Sequence, residues 1–166
     1  MLIKEKLDYQ SRPKPITFLA TDTVKHALDV MCEKNIGSIV VVDEHDHVMG
    51  IVTERDMMIR VLGPAIDVQA TLLSDIMTQD VKVANENDEL IDWLQTMSNE
   101  RFRHLPIVNE SGCLVALLSQ GDFVAYTWPE LYDKLRKDIK GRLEHIFPVA
   151  MVAFAVLTLV FIALQN

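Results

Sequence analysis

Apolar and polar positions along the chain change period several times, and each change marks an element. Val24, Ala27, Leu28 and Met31 are spaced i, i+3, i+4, i+7, which predicts an amphipathic helix with one apolar stripe. A short strand is expected before it at Thr17–Leu19. Two β-rich runs follow, Ser38–Val42 and Val48–Val52, on either side of the polar stretch Asp43-Glu44-His45-Asp46-His47, the pattern of a hairpin. A second helix is expected over Glu54–Leu62. The order then recurs: a strand over Val81–Ala84, a helix carrying Leu90, Trp93, Leu94 and Met97, a hairpin of Leu105–Val108 and Leu114–Leu118 about Asn109–Gly112, and a helix over Gly121–Thr127. Thr21-Asp22 and Asn87-Asp88 supply the expected helix N-caps.

The recurrence is an internal repeat. A shift of 66 residues lays 16–56 on 82–122 without a gap, with six identities (Asp22/Asp88, Leu28/Leu94, Met31/Met97, Val42/Val108, Glu44/Glu110, Asp56/Asp122) and apolar residues on apolar residues. The expected fold is α/β (α+β): two β-α-β-β-α repeats, residues 13–63 and 72–128, joined by Gly63–Thr71. One such unit buries too little surface to be stable alone, so the two are expected to pack about a pseudo-two-fold axis and to leave clefts between them, a common place for ligands.

Polarity changes again near the end. Residues 146–164 carry no charge, and a helix of 19 residues spans about 28 Å, close to the roughly 30 Å of a bilayer's hydrocarbon core. Asp133–Glu144 upstream is net +2. The pattern predicts an interfacial helix over 129–145 and a transmembrane helix over 146–164. By the positive-inside rule the protein would sit at the cytoplasmic face of the cell (inner) membrane, single-pass, with its N-terminus inside. The opening MLIKEKLDYQSRPKP has no apolar stretch of the secretory kind.

Composition narrows the function classes. The chain is 49% apolar and 24% charged, as globular proteins are, and its net charge of −8 argues against nucleic acid as a partner. Its two cysteines are too few for a disulfide or zinc framework. No nucleophile–base pair, HExxH, Walker A or GxGxxG motif is present, so an enzyme is not expected. His45-x-His47 lacks a third metal ligand.

Each repeat closes on a hydroxyl with an Asp three residues later at a helix start: Thr53-Glu54-Arg55-Asp56 and Ser119-Gln120-Gly121-Asp122. The hydroxyl could meet a phosphate and the carboxylate a ribose diol, while the same spacing is that of a capping box. Spacing alone leaves both roles open. Arg103-His104 precede the second hairpin, where Gly37-Ser38 stand in the first. Arg suits phosphate because its planar fork is always charged.

GIVTERD in the first repeat, with RHLPIV and LSQGD in the second and LSDIMT at Leu73–Thr78, resembles a tandem pair of CBS domains (a Bateman module) over residues 13–127. The resemblance implies a regulatory homodimer binding an adenosine-containing ligand (AMP, ADP, ATP or S-adenosylmethionine) and acting on a membrane or cytosolic protein. It implies that Asp56 and Asp122 hold the ribose, that Thr53, Ser119, Arg55, Arg103 and His104 lie toward phosphate, and that the strand with Pro106 and Ile107 lies against adenine. Two departures are Ala116, where the family usually has Gly, and Gly121 opposite Arg55.

Overall fold

The computed structural model describes residues 2–6, 13–128 and 132. The chain divides into two compact units, residues 1–123 and 124–166. The interfacial and transmembrane helices expected over 129–145 and 146–164 lie outside the described residues, Tyr132 apart. Among the described residues, no helix is long and apolar enough to cross a membrane.

The first repeat is β1 (Thr17–Leu19), α1 (Val24–Lys34), β2 (Ser38–Val42), β3 (Val48–Thr53) and α2 (Glu54–Asp56), which runs on as a π-helix over Met57–Leu62. After the short helix α3 (Leu73–Ile76) come β4 (Ala84–Asn85), α4 (Leu90–Glu100), β5 (His104–Val108), β6 (Leu114–Ser119) and a helix over residues 120–128. Each repeat has a three-stranded sheet, in order β1-β2-β3 and β4-β5-β6, with the first pair parallel and the hairpin antiparallel. Even the irregularities match: the register shifts between Val41 and Val42 and between Ile107 and Val108.

The repeat identities acquire reasons here. Asp22 and Asp88 are not the helix caps their positions suggested. Each carboxylate turns back to accept the N–H that ends the preceding strand, from Leu19 and Asn85, at 2.8 Å in both cases. The helices start later, after Thr23, whose hydroxyl accepts from His26 N at 3.2 Å, and after Glu89. In the hairpin turns, Asp43 accepts the N–H groups of His45 and His47, and Asn109 those of Ser111 and Cys113. Those bonds, the His47 backbone N–H foremost, pull the Asp43 carboxyl down to about 2. The strand expected over Val81–Ala84 is displaced to Ala84–Asn85, because Val81 N is taken up in a turn on Gln79 O.

The segment that opens the second expected domain packs on the first. Leu73 and Ile76 of α3 join the core of Phe18, Val24, Met31, Ile39, Val41 and Val52, and Leu73 N and Ser74 N bond to Asp22 O and Ala20 O. Residues 2–6 do the same for the second repeat. Ile3 N and Lys4 N bond to Asp88 O and Glu86 O, the counterparts 66 residues on, and Ile3 is 1% exposed. The first repeat's core is thus completed by the segment that precedes the second repeat, and Ile3, ahead of the first repeat, is buried against the second.

Between the sheets, Val40 and Val42, on the face of β2 turned from the helices, pack with Leu114 and Leu117. Ser38 Oγ lies 3.0 Å from His104 Nδ1, and His47 forms a β-bridge with Cys113. Both are pairs of counterparts 66 residues apart. A residue that touches its own counterpart lies beside a two-fold axis, which gives the pseudo-two-fold packing expected from the repeat.

Candidate functional site

Both hydroxyl–Asp turns fold as capping boxes; Thr53 and Asp56 line one cleft between the repeats, and Ser119 lines another that Asp122 does not. Thr53 donates its N–H (2.9 Å) and its hydroxyl (2.6 Å) to Asp56 Oδ2, and Asp56 N donates back to Thr53 Oγ1 at 3.3 Å. Ser119 and Asp122 repeat the arrangement at 2.7, 2.7 and 3.3 Å. Asp56 Oδ1 also faces Arg60 Nε at 3.6 Å. Capping therefore consumes one carboxylate oxygen of each Asp. The boxes fix the two carboxylates and hydroxyls at matching places on the fold.

The clefts differ in what faces those turns. A cleft of about 200 Å³ gathers Thr53, Arg55 and Asp56 from the first repeat with Arg101, Arg103 and His104 from the second. Among the described residues, none of the three arginines is ion-paired, and all are exposed. A larger cleft of about 680 Å³ runs from Ser119, Ala116 and Leu117 to Gly37, Ser38 and Pro15. Five expected site residues, Thr53, Arg55, Asp56, Arg103 and His104, thus converge, while Ser119 lies in the other cleft with His104 shared between them. Pro106 and Ile107 are buried and line neither cleft. Strand alternation is the reason for Ile107, which turns to the helix side like its counterpart Val41.

Arg101 was not singled out from the sequence. It ends α4 in the left-handed conformation (φ 59°), as Asn35 ends α1 (φ 52°). Asn tolerates that conformation and Arg rarely adopts it, so an Arg at a helix end opposite Asn in the twin repeat was the available signal. Gly50 is explained by packing: a Cβ there would stand 2.6 Å from Met77 Sδ, because residues 77–78 pass across β3 and bridge Ile51. Ala116, its counterpart, lines the larger cleft.

His104 is the half-buried partition. Burial pushes its imidazole below the ordinary 6.5, the Arg103 charge adds to this, and Glu54 and Asp122 oppose it. A folded-state value below the unfolded one means the unfolded chain binds the proton first. Stability is therefore unaffected above about pH 6.5 and falls as the pH drops through and below that value. His104→Asn is expected to remove this component. Urea midpoints between pH 5 and 8 check it: wild type should lose stability relative to the variant as the pH falls from 8 to 5, and parallel curves would refute the assignment. No group of three His, Cys, Asp or Glu placed to hold a metal occurs among the described residues.

A family model described as CBS domain matches twice, at residues 7–63 and 73–128. An uncharacterized 17.7 kDa protein of Acidianus ambivalens is 40% identical over 100 residues, 60% of this chain and 59% of its own length. A protein with CBS domains from Burkholderia ambifaria superposes with a TM-score of 0.63 at 35% identity, over 74% of this chain and 87% of that one. The crystal structure of CBSX2 in complex with AMP matches with a TM-score of 0.60 at 24% identity, over 69% of this chain and 88% of that one, a likeness of fold.

Proposed function

As this chain belongs to the CBS domain family, we propose that it is a regulatory ligand-sensing module, not an enzyme, that binds an adenine nucleotide between its repeats. One observation carries the reading: Thr53, Asp56, Arg55, Arg101 and Arg103 meet in one cleft, and the three guanidiniums have no ion pair among the described residues. Three fixed positive charges near a hydroxyl–carboxylate turn suit a ligand with a phosphate at one end and a ribose diol at the other. Asp56 supplies the acceptor for the diol, and Thr53, Arg55 and Arg103 face the phosphate. At about 200 Å³ the cleft is smaller than the ~300–1,000 Å³ usual for whole ligands, so the exposed arginines swing outward when a nucleotide enters. The bound CBSX2 structure supports the choice of AMP as the first probe.

A thermal-shift series on the full chain with AMP, ADP, ATP and S-adenosylmethionine tests the reading. A ligand at 100 times its dissociation constant is expected to stabilise the fold by about 2.7 kcal/mol. No shift with any of the four at millimolar concentration would favour the competing reading, a structural dimerisation module with vestigial clefts.

The module is further proposed to be a homodimer tethered to a membrane. Met58, Ile59 and Leu62, on the π-helical continuation of α2, are 59, 65 and 70% exposed, an apolar surface that a second copy would cover and that light scattering would reveal. The tether is the charge-free stretch 146–164 with its basic flank, which would place the nucleotide clefts at the cytoplasmic face of the cell membrane and close to a regulated protein there. The full chain is expected in the membrane fraction and resistant to carbonate. A variant ending at His145 is expected in the supernatant, and equal partitioning of the two would refute the tether.

A further inference from the structure

His104 lines both clefts between the repeats. The pseudo-two-fold packing is the reason. Ser38 is its counterpart 66 residues earlier, and Ser38 Oγ lies 3.0 Å from His104 Nδ1. A residue that touches its own counterpart sits where the two clefts meet. Ser38 is 7% exposed, so that ring nitrogen meets protein rather than water. In the Thr53 cleft the imidazole shares the wall with Arg55, Asp56, Arg101 and Arg103. In the larger cleft it shares the wall with Lys14 and Lys34, the latter paired with Glu33 at 2.7 Å. Glu54 from α2 and Asp122 from the helix over residues 120–128 bring carboxylate charge to bear on the ring. Burial and the Arg103 charge outweigh those two carboxylates, so the neutral imidazole is the favoured form before a ligand arrives.

We propose that phosphate binding in the Thr53 cleft is proton-coupled through His104: a phosphorylated ligand entering beside the arginines draws a proton from solvent onto the imidazole, and the imidazolium becomes a further cation of the cleft. This rests on the nucleotide reading above and adds to it a regulation by pH. The three guanidiniums are charged at every pH of interest, whereas an imidazole changes charge near neutrality. A phosphate dianion cancels the positive field that keeps the proton off the ring. An opposite charge within about 4–6 Å raises such a group by about 1–3 pKa units. The complex therefore holds more protons than the free protein, and by reciprocity protons favour the complex. Affinity rises as the pH falls through the bound-state value of His104 and levels off below its free value. Each unit between the two values is worth up to about tenfold in affinity. Ser38 suits this change of charge. Its hydroxyl can donate to a bare Nδ1 or accept from Nδ1–H, so the ring keeps its partner in either state. Adenosine without a phosphate would leave the arginine field uncancelled and bring no proton with it.

Calorimetry with AMP on the full chain, in buffers of different ionisation enthalpy at one pH, counts the protons taken up on binding. The phosphate of AMP itself titrates near about pH 6, so the count is set against His104→Asn, which keeps a polar group beside Ser38 and does not titrate. At about pH 6.5 the wild type is expected to take up more protons than the variant. Between about pH 8 and pH 5.5 its AMP affinity is expected to gain at least about threefold over that of the variant. The wild type also reads the coupling alone. Of its five imidazoles, followed by NMR across the same pH range, one is expected to titrate at higher pH when AMP is saturating. Equal proton counts and parallel affinity curves in wild type and variant would overturn the coupling and leave nucleotide binding intact. An unchanged titration of all five imidazoles would overturn it too, whether or not the variant folds. If AMP binds at no pH, the nucleotide reading falls and takes this inference with it.

Discussion

Ile3→Ala is expected to lower the unfolding free energy by about 2–5 kcal/mol, the usual cost of emptying a buried Ile or Leu site. That is a core-sized effect for the third residue of a chain. Its basis is the exchange of leading segments: Ile3 is 1% exposed and its N–H is fixed on Asp88 O, as Leu73, fully buried, is fixed on Asp22 O. Leu73→Ala should cost a similar amount. The two sites serve different repeats, so the double variant should be additive to within about 0.5 kcal/mol if the repeats unfold as one cooperative unit. Urea denaturation of the three variants measures this. A loss below about 1 kcal/mol for Ile3→Ala would mean that residues 2–6 do not complete the second repeat's core.

That exchange shows where the sequence stops being legible. Helices, hairpins and repeat could be read because each is a local period: α1 and α4 announce themselves by their apolar stripes, and the turn 43–47 by its polarity between β-rich runs. The placement of Leu2–Lys6 could not, because a short stretch of mixed polarity has no period of its own. Its counterpart 72–76 lies 70 residues on, outside the 66-residue alignment. Asp22 and Asp88 were visible as identities, but an Asp before a helix reads as a cap, whereas in the fold each carboxylate turns back to the strand. At the site, Thr53, Arg55, Asp56, Arg103 and His104 were named from the sequence and meet in one cleft. Arg101 escaped because its signal lies only in the comparison with Asn35 of the twin repeat, at a left-handed helix end.

Asp56→Ala and Asp122→Ala are expected to affect stability alike and ligand affinity unequally. Each Asp closes a capping box with the same three hydrogen bonds, so each substitution should lower stability by about 0.5–2 kcal/mol, the range for a lost helix cap. Nucleotide binding has no such symmetry. Only Asp56 shares its cleft with Arg55, Arg101 and Arg103, so a nucleotide anchored by its phosphate there brings its ribose to Asp56 and not to Asp122. Asp56 Oδ2 is taken by Thr53. The diol must therefore approach Oδ1, where Arg60 Nε at 3.6 Å is a loose partner that leaves lone-pair capacity. A hydrogen bond to a charged group is worth about 1.5–3 kcal/mol, so Asp56→Ala should weaken AMP ten- to a hundredfold. Asp122→Ala should change AMP affinity less than about threefold, with RT ln 3 near 0.65 kcal/mol as the margin. Thermal melts without ligand supply the control, since matched losses of stability show that the two cap lesions are equivalent. Calorimetry with AMP then isolates the ribose contact. Equal loss of affinity in both variants would mean that the carboxylates act through the fold alone, and unimpaired binding by Asp56→Ala would remove that residue from the site.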